Sequence, residues 1–239
     1  MLVEAWSDVV CPWCYIGKRR LEAALAQFDH AGAVEVRWRS YQLDPFAPVR
    51  RDGDPASRLA AKYGLTYDQA VAAQDRMTRA AGEEGIEFHL DRTIWGNTFD
   101  AHRLLHLGAE AGIQDQVKER LLAAYFTEGR PIGERDTLLR VVEEAGLDRA
   151  AAGEVLAGDR FASDVRADEA AAGALGVSGV PFFVFGGRYS VGGAQPAELF
   201  LQVLERAWAE TQGAMELVPA DGGPASAASA ACTDEHCEL

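Results

Sequence analysis

The stretch Ser7-Asp8-Val9-Val10-Cys11-Pro12-Trp13-Cys14 decides the fold. Its two cysteines lie between an apolar run at 2–6 and an amphipathic run that starts at Pro12 and reads as a helix over 12–28. Cys11 therefore stands at a helix mouth, where unpaired N–H groups and the helix dipole favour an anion and raise the thiolate fraction of a thiol. Pro12 supports the same geometry, because a proline at the first helical position gives up an N–H that has no partner there. Cys14 follows one turn later, beside Cys11. Taken alone, the spacing fits either a redox pair or half of a metal site.

Composition bounds the class. The chain has 239 residues, 48% of them hydrophobic, sufficient for a sizeable core in one large domain or two smaller ones. A formal net charge of -14 argues against nucleic acid or an anionic membrane surface as the main partner. The apolar runs are too short to span a bilayer. Met1 leads into the first strand within two residues, so the expectation is a cytoplasmic chain without a leader. Four cysteines make a poor disulfide scaffold, and in a reducing compartment a C-x-x-C pair points to redox or metal chemistry.

Outward from the cysteines, 2–6 reads as a short buried strand. The helix after it carries Leu21, Leu25 and Phe28 on one face. Val34, Val36 and Trp38 alternate with Glu35, Arg37 and Arg39, a strand period that predicts a second strand reaching Leu43. A strand-helix-strand opening makes a parallel pair. From about Arg50 to Ser163 the signals turn helical. Asp54-Pro55 reads as an N-cap with proline at the first position, Thr66-Tyr67-Asp68-Gln69 as a capping box, and further helices are expected over 98–111, 114–127, 137–145 and 149–157. Strand character returns at 180–185 and 188–191, joined by Gly186-Gly187 as a hairpin, and Gln195-Pro196 opens a last amphipathic helix. The expected class is α/β: a discontinuous thioredoxin-like domain at 1–49 and 164–212, an inserted all-helical domain at 50–163, and a flexible tail at 213–239.

Three motifs in this order carry a resemblance. They are Cys11-Pro12-Trp13-Cys14 with its flanks, Asn97-Thr98-Phe99-Asp100-Ala101-His102-Arg103, and Val180-Pro181-Phe182-Phe183-Val184-Phe185. Together they resemble the DsbA-like thioredoxin superfamily and, more narrowly, its FrnE group of cytoplasmic oxidoreductases, over about residues 1–212. The resemblance implies thiol–disulfide exchange, with Cys11 as nucleophile and Cys14 as resolving thiol, and an isomerase mode in which Cys11 leaves without Cys14. It also implies a cis Val180-Pro181 peptide that pairs with an incoming substrate strand, lining a substrate site together with Pro12 and Trp13. Read from its residues alone, Pro181 is equally a proline opening an edge strand. Trp13 departs from the histidine found there in strongly oxidising members, which implies a more reducing potential and an isomerase or reductase acting on protein thiols and disulfides. No cofactor is expected, with glutathione as a candidate redox partner.

The remaining candidates read more plainly. Asp8 is expected to be a solvated loop acid. His102 and His106 have i, i+4 spacing but no third ligand, so they are expected to face core or cleft, with Asn97 and His102 as cleft-lining residues and no metal site. Met77, Trp38, Phe99 and Trp95 read as core or cleft. The tail ends in Cys232-Thr233-Asp234-Glu235-His236-Cys237, and the preceding small and polar linker, with an r.m.s. span of about 24 Å, brings Cys232 or Cys237 within reach of Cys11. The FrnE resemblance implies an auxiliary dithiol there; incidental cysteines or a zinc site with His236 remain open. The same insertion architecture occurs in kappa-class glutathione transferases and 2-hydroxychromene-2-carboxylate isomerases, so a glutathione-dependent small-molecule enzyme, in polyketide metabolism for instance, stands as the alternative. Those relatives have serine where Cys11 stands.

Overall fold

The computed structural model describes residues 1–213. Strand β1 (Leu2–Ser7) runs into helix α1 (Pro12–Leu25), and β2 (Glu35–Ser40) returns parallel to β1 in register Leu2↔Glu35 through Ser7↔Ser40. Seven helices follow: α2 (Pro55–Tyr63), α3 (Tyr67–Glu83), α4 (Phe99–Glu110), α5 (Gln114–Phe126), α6 (Arg135–Glu144), α7 (Arg149–Ala157) and α8 (Ala162–Ala174). The hairpin β3 (Phe182–Phe185) and β4 (Tyr189–Gly192) then leads to α9 (Ala197–Gly213). The sheet order is β2-β1-β3-β4, with β3 antiparallel to both neighbours. Gly186 and Gly187 both take positive φ, 57° and 69°, at the centre of a tight turn closed by Arg188 N donating to Phe185 O at 3.1 Å. Among the described residues no helix is long and apolar enough to cross a membrane.

Local chemistry explains the boundaries. Asp54 accepts a hydrogen bond from Ser57 N at 2.7 Å, and Thr66 and Gln69 form the reciprocal capping box. The second strand stops at Ser40 and not at Leu43. Beyond Arg39 the backbone donors go to carboxylates instead of a ladder: Ser40 N to Asp168, Gln42 N to Glu169 and Leu43 N to Asp8. Helix α1 ends at Leu25, three residues short of the sequence expectation, because the chain turns into a tight turn at 26–28.

Two cores meet at α1. Leu21 and Ala24 pack with Val3, Trp38, Phe183, Phe185, Phe200 and Leu204 between the sheet, α1 and α9. Tyr15 and Ile16 belong instead to the core of the helical segment, with Leu104, Leu121, Leu122 and Phe126. The helical segment also covers an edge of the sheet. β2 would present a free row of backbone groups, but Gln114, at the start of α5, accepts from Trp38 N and donates to Trp38 O, both at 2.9 Å. Asp115 takes the Trp38 indole N–H at 2.9 Å.

One close approach fixes α1 against the segment before β3. A Cβ built on Gly17 would lie 3.1 Å from Pro181 Cγ and 3.4 Å from Phe183 Cζ. Gly17→Val should therefore overpack this contact. Urea unfolding is expected to show a loss of ~1–3 kcal/mol, with weaker activity as Pro181 is displaced; unchanged stability would show that the contact is not tight.

Candidate active site

β1 ends at Ser7, and the turn that follows is closed by Cys11 N donating to Asp8 O at 3.3 Å. Cys11 is the N-cap of α1, with φ -94° and ψ 114°, and its side chain makes no capping bond, so the sulfur is aimed outward from the helix mouth. Its Sγ donates to the carbonyl of Val180 at 3.4 Å, across 169 positions of sequence. The Val180–Pro181 peptide is cis. The structure thus brings Cys11, Cys14, Pro12, Val180 and Pro181 to one place, with Trp13 at the rim, 42% exposed. Cys11 and Cys14 are both free thiols. Cys232 and Cys237 lie outside the described residues.

The two thiols differ sharply. Cys11 borders a cavity, whereas Cys14 has no exposure. Burial, then the neighbouring Cys11 sulfur, push the Cys14 thiol well above its ordinary pKa. Behind it lies a polar cluster that sequence reading missed or misplaced. Asp8, expected to be solvated, is fully buried, because the turn after β1 folds it inward under Leu43 N, whose hydrogen bond it accepts at 2.8 Å. Its Oδ1 lies 3.3 Å from His102 Nε2, within ion-pair distance but out of line for a hydrogen bond. Burial raises the Asp8 carboxyl, yet His102, the Leu43 amide and the Lys118 charge outweigh it and hold it below the usual value.

Lys118, from α5, completes the cluster. It is fully buried, its Nζ has no hydrogen-bond partner among the described residues, and it stands 5.6 Å from the Trp38 ring centroid. Burial lowers its pKa against the opposing pull of Cys14, Asp8 and Cys11. A signal was present in the sequence: Lys118 falls in the apolar stripe of Val117, Leu121, Leu122 and Tyr125, where a cation needs a reason.

The histidines part company. His102 faces Asp8, while His106 lies 3.1 Å from Ser40 Oγ and 3.3 Å from Asp168 Oδ2, so the i, i+4 pair serves two different carboxylates. Among the described residues no group of three or more His, Cys, Asp or Glu side chains is placed to hold a metal ion. Neither Asn97 nor His102 lines the cavity beside Cys11, contrary to the sequence expectation. Asn97 uses its amide to staple a loop, donating to Pro45 O and Ala47 O at 3.1 Å each, and His102 is sealed inside. Trp38 is core and Met77 and Trp95 are cleft, as expected, with Phe99 at 5.2 Å from the Arg166 guanidinium. The cavity itself measures about 690 Å³ and runs from Cys11 and Val180 past Trp13 to Tyr63, Met77 and Trp95.

A comparison with known families decides the kinship, for residues 2–205 match the model of the DSBA-like thioredoxin domain. The chain belongs to that family. It is a DsbA-like thioredoxin fold carrying a large helical insertion, and the family supports oxidoreductase chemistry at thiols. A probable DsbA oxidoreductase from Streptomyces coelicolor, SCO1869, is similar in structure, with a TM-score of 0.84 and 43% identity over 88% of this chain and 91% of that one. The cytosolic disulfide reductase DsbM from Pseudomonas aeruginosa, also solved with GSH, shares the fold at a TM-score of 0.58 and 20% identity, over 90% of this chain and all of that one. A 2-hydroxychromene-2-carboxylate isomerase shares it at 0.62 and 20% identity, with the same coverage.

The environments of this DsbA-like pair predict unequal reactivity. In the reduced, folded protein iodoacetamide should modify Cys11 near neutral pH. Cys14, whose raised pKa keeps it a thiol, should react only well above pH 9 or after denaturation. Peptide mapping of the alkylated chain reads both; equal labelling of the two at pH 7 would contradict the assignment.

Proposed function

We propose that this chain is a cytoplasmic protein-disulfide reductase or isomerase of the FrnE type, with Cys11 as its nucleophile. The observation that carries the reading is the juxtaposition of a cavity-facing Cys11 with the Val180 carbonyl and a sealed Cys14 one turn behind. The cytosolic description of DsbM agrees with that compartment, and glutathione fits as the external reductant.

The reaction divides into two exchanges. The Cys11 thiolate attacks one sulfur of a substrate disulfide; a Cys11–substrate disulfide forms, the substrate S–S bond breaks, and the departing thiolate takes a proton from solvent. On ionising, Cys11 gives up its bond to the Val180 carbonyl, which is then free for a backbone N–H of the substrate. Cys14 next loses its proton and attacks Cys11 Sγ, releasing the second substrate thiol and leaving a Cys11–Cys14 disulfide. Two electrons have passed to the substrate, and two glutathione thiols return them, leaving as glutathione disulfide. In the isomerase mode a substrate thiol attacks the mixed disulfide first and Cys11 departs unchanged.

Lys118 answers the difficulty of the second step. A buried thiol with a raised pKa is slow to ionise. Lys118, buried and without a hydrogen-bond partner among the described residues, favours the Cys14 thiolate through its charge, which pulls the thiol pKa down against burial. Asp8 stays ionised and limits the cost of that charge.

Cys11→Ser should abolish insulin reduction and refolding of scrambled substrates, and Cys14→Ser should accumulate a mixed disulfide; full activity in Cys11→Ser would overturn the reading. Saturable glutathione conjugation or isomerisation without disulfide turnover would point to the small-molecule enzymes instead. Lys118→Met should leave Cys11 alkylation intact while slowing release of the mixed disulfide about 100-fold near neutrality. The sign follows from the raised Cys14 pKa: without the lysine, release should keep accelerating with pH beyond the point where the wild type levels off. Stopped-flow release measured against pH would refute the role of Lys118 if the two profiles coincide.

A further inference from the structure

The cavity beside Cys11 has a charge opposite to that of the molecule. The whole chain carries a formal net charge of -14, yet among the described residues the only charged side chains lining this cavity are Lys62 and Arg76. An adjoining cavity of about 400 Å³ shares Leu43, Lys62 and Trp95 and adds Arg51 and Arg58, with Asp44 as its one acid. Among the described residues neither Lys62 nor Arg76 has a carboxylate within ion-pair distance. Arg58 gives its guanidinium to the carbonyls of Gly53 and Thr93. Lys62 is held between two rings, its Nζ 5.2 Å from the Trp95 centroid and 5.6 Å from that of Tyr63.

The surroundings are apolar. Trp13, Phe46, Val49, Tyr63, Leu65 and Tyr67 are all exposed, and among the described large apolar side chains only Leu175 and Leu199 join them from elsewhere in the chain. Such a concentration on one stretch and one active-site residue marks a contact surface. Three of the six, Trp13, Tyr63 and Leu65, line the cavity itself.

Resting on the redox reading of Cys11, we propose that this basic, aromatic-framed cavity selects polypeptide disulfides in which the reacting cysteine is flanked by an apolar residue and by carboxylates. The apolar side chain enters between Tyr63, Met77 and Trp95, and the carboxylates meet Lys62 and Arg76. A polypeptide fits better than a small disulfide, because the cavity of about 690 Å³ adjoins the second of about 400 Å³ through Leu43, Lys62 and Trp95, leaving room for residues beside the reacting cysteine. The positive lining also draws acidic partners to a protein whose net charge repels them.

The test uses matched eight-residue peptides joined by a disulfide to an uncharged thiol. One series has leucine and glutamates beside the cysteine, a second leucine and lysines, a third serine and glutamates. The wild type should show a kcat/KM for the leucine–glutamate peptide about tenfold above either of the others, an advantage that shrinks as salt screens the charges. In Lys62→Glu/Arg76→Glu the ratio between the glutamate and lysine peptides should invert; both side chains are exposed, and the ratio within one variant needs no comparison of total activity. Equal rates in the wild type, or an unchanged ratio in the double variant, would overturn the proposal. Binding is read separately from redox chemistry by fluorescence anisotropy of serine-for-cysteine peptides on Cys11→Ser, so the preference survives there even if Cys11 is not the nucleophile. Glutathione displacing the labelled acidic peptide at equal or lower concentration than the unlabelled peptide itself would assign the cavity to the tripeptide and contradict a polypeptide occupant.

Discussion

The Cys14 thiol, by its burial, constrains the rest of the site. It is enclosed on every side and its ionisation is opposed first by burial and then by the adjoining Cys11 sulfur. A dithiol that closes to a disulfide must nevertheless ionise this group. Two buried groups act on it from behind: the charge of Lys118 favours the thiolate, and the Asp8 carboxyl is held below its usual pKa. An unpartnered buried ammonium or amine costs stability, of order 1–3 kcal/mol for a polar group left without a hydrogen bond. Under the proposed function, Lys118 carries that penalty in favour of the Cys14 thiolate.

That lysine is held over Trp38 because α5 is docked on the sheet. Gln114 closes the free edge of β2 through both backbone groups of Trp38, Asp115 takes the indole N–H, and Lys118 lies one helical turn beyond Gln114 on the same side. The helical segment thus carries the buried lysine to the sheet. Helix α1 makes the same connection from the other direction: its first turn packs into the helical core and its later turns into the sheet. Gly17 lets it approach Pro181 closely enough for Cys11 to meet the Val180 carbonyl.

Local signals made much of this legible in the sequence. The proline at the first turn of α1, the capping box at Thr66, the two glycines of the hairpin and the periodicity of the helices depend on neighbours within four residues, and the structure follows them. The strand that was expected to reach Leu43 fails because carboxylates from distant segments claim its amides, which no local pattern records. Asp8 looks like a loop acid for the same reason; its burial depends on Leu43, His102 and Lys118, drawn from three other parts of the chain. Lys118 was readable only as an anomaly in an apolar stripe. His102 and His106 share a helix face, but the carboxylates that claim them, Asp8 before α1 and Asp168 in α8, are far apart in the sequence.

The same site sets the expected redox balance. Trp13 between the cysteines brings no charge to a thiolate, and the burial of Cys14 disfavours one, so the reduced pair is not stabilised as it is in a strong oxidant. The most direct measurement is the reduction potential of the Cys11–Cys14 couple, read by mass spectrometry after equilibration in glutathione buffers. The predicted result is a reversible two-electron couple between about -180 and about -270 mV, the range from protein disulfide isomerase to thioredoxin. A value near about -120 mV, that of a dedicated oxidant, or the absence of any Cys11–Cys14 disulfide at equilibrium, would contradict the account.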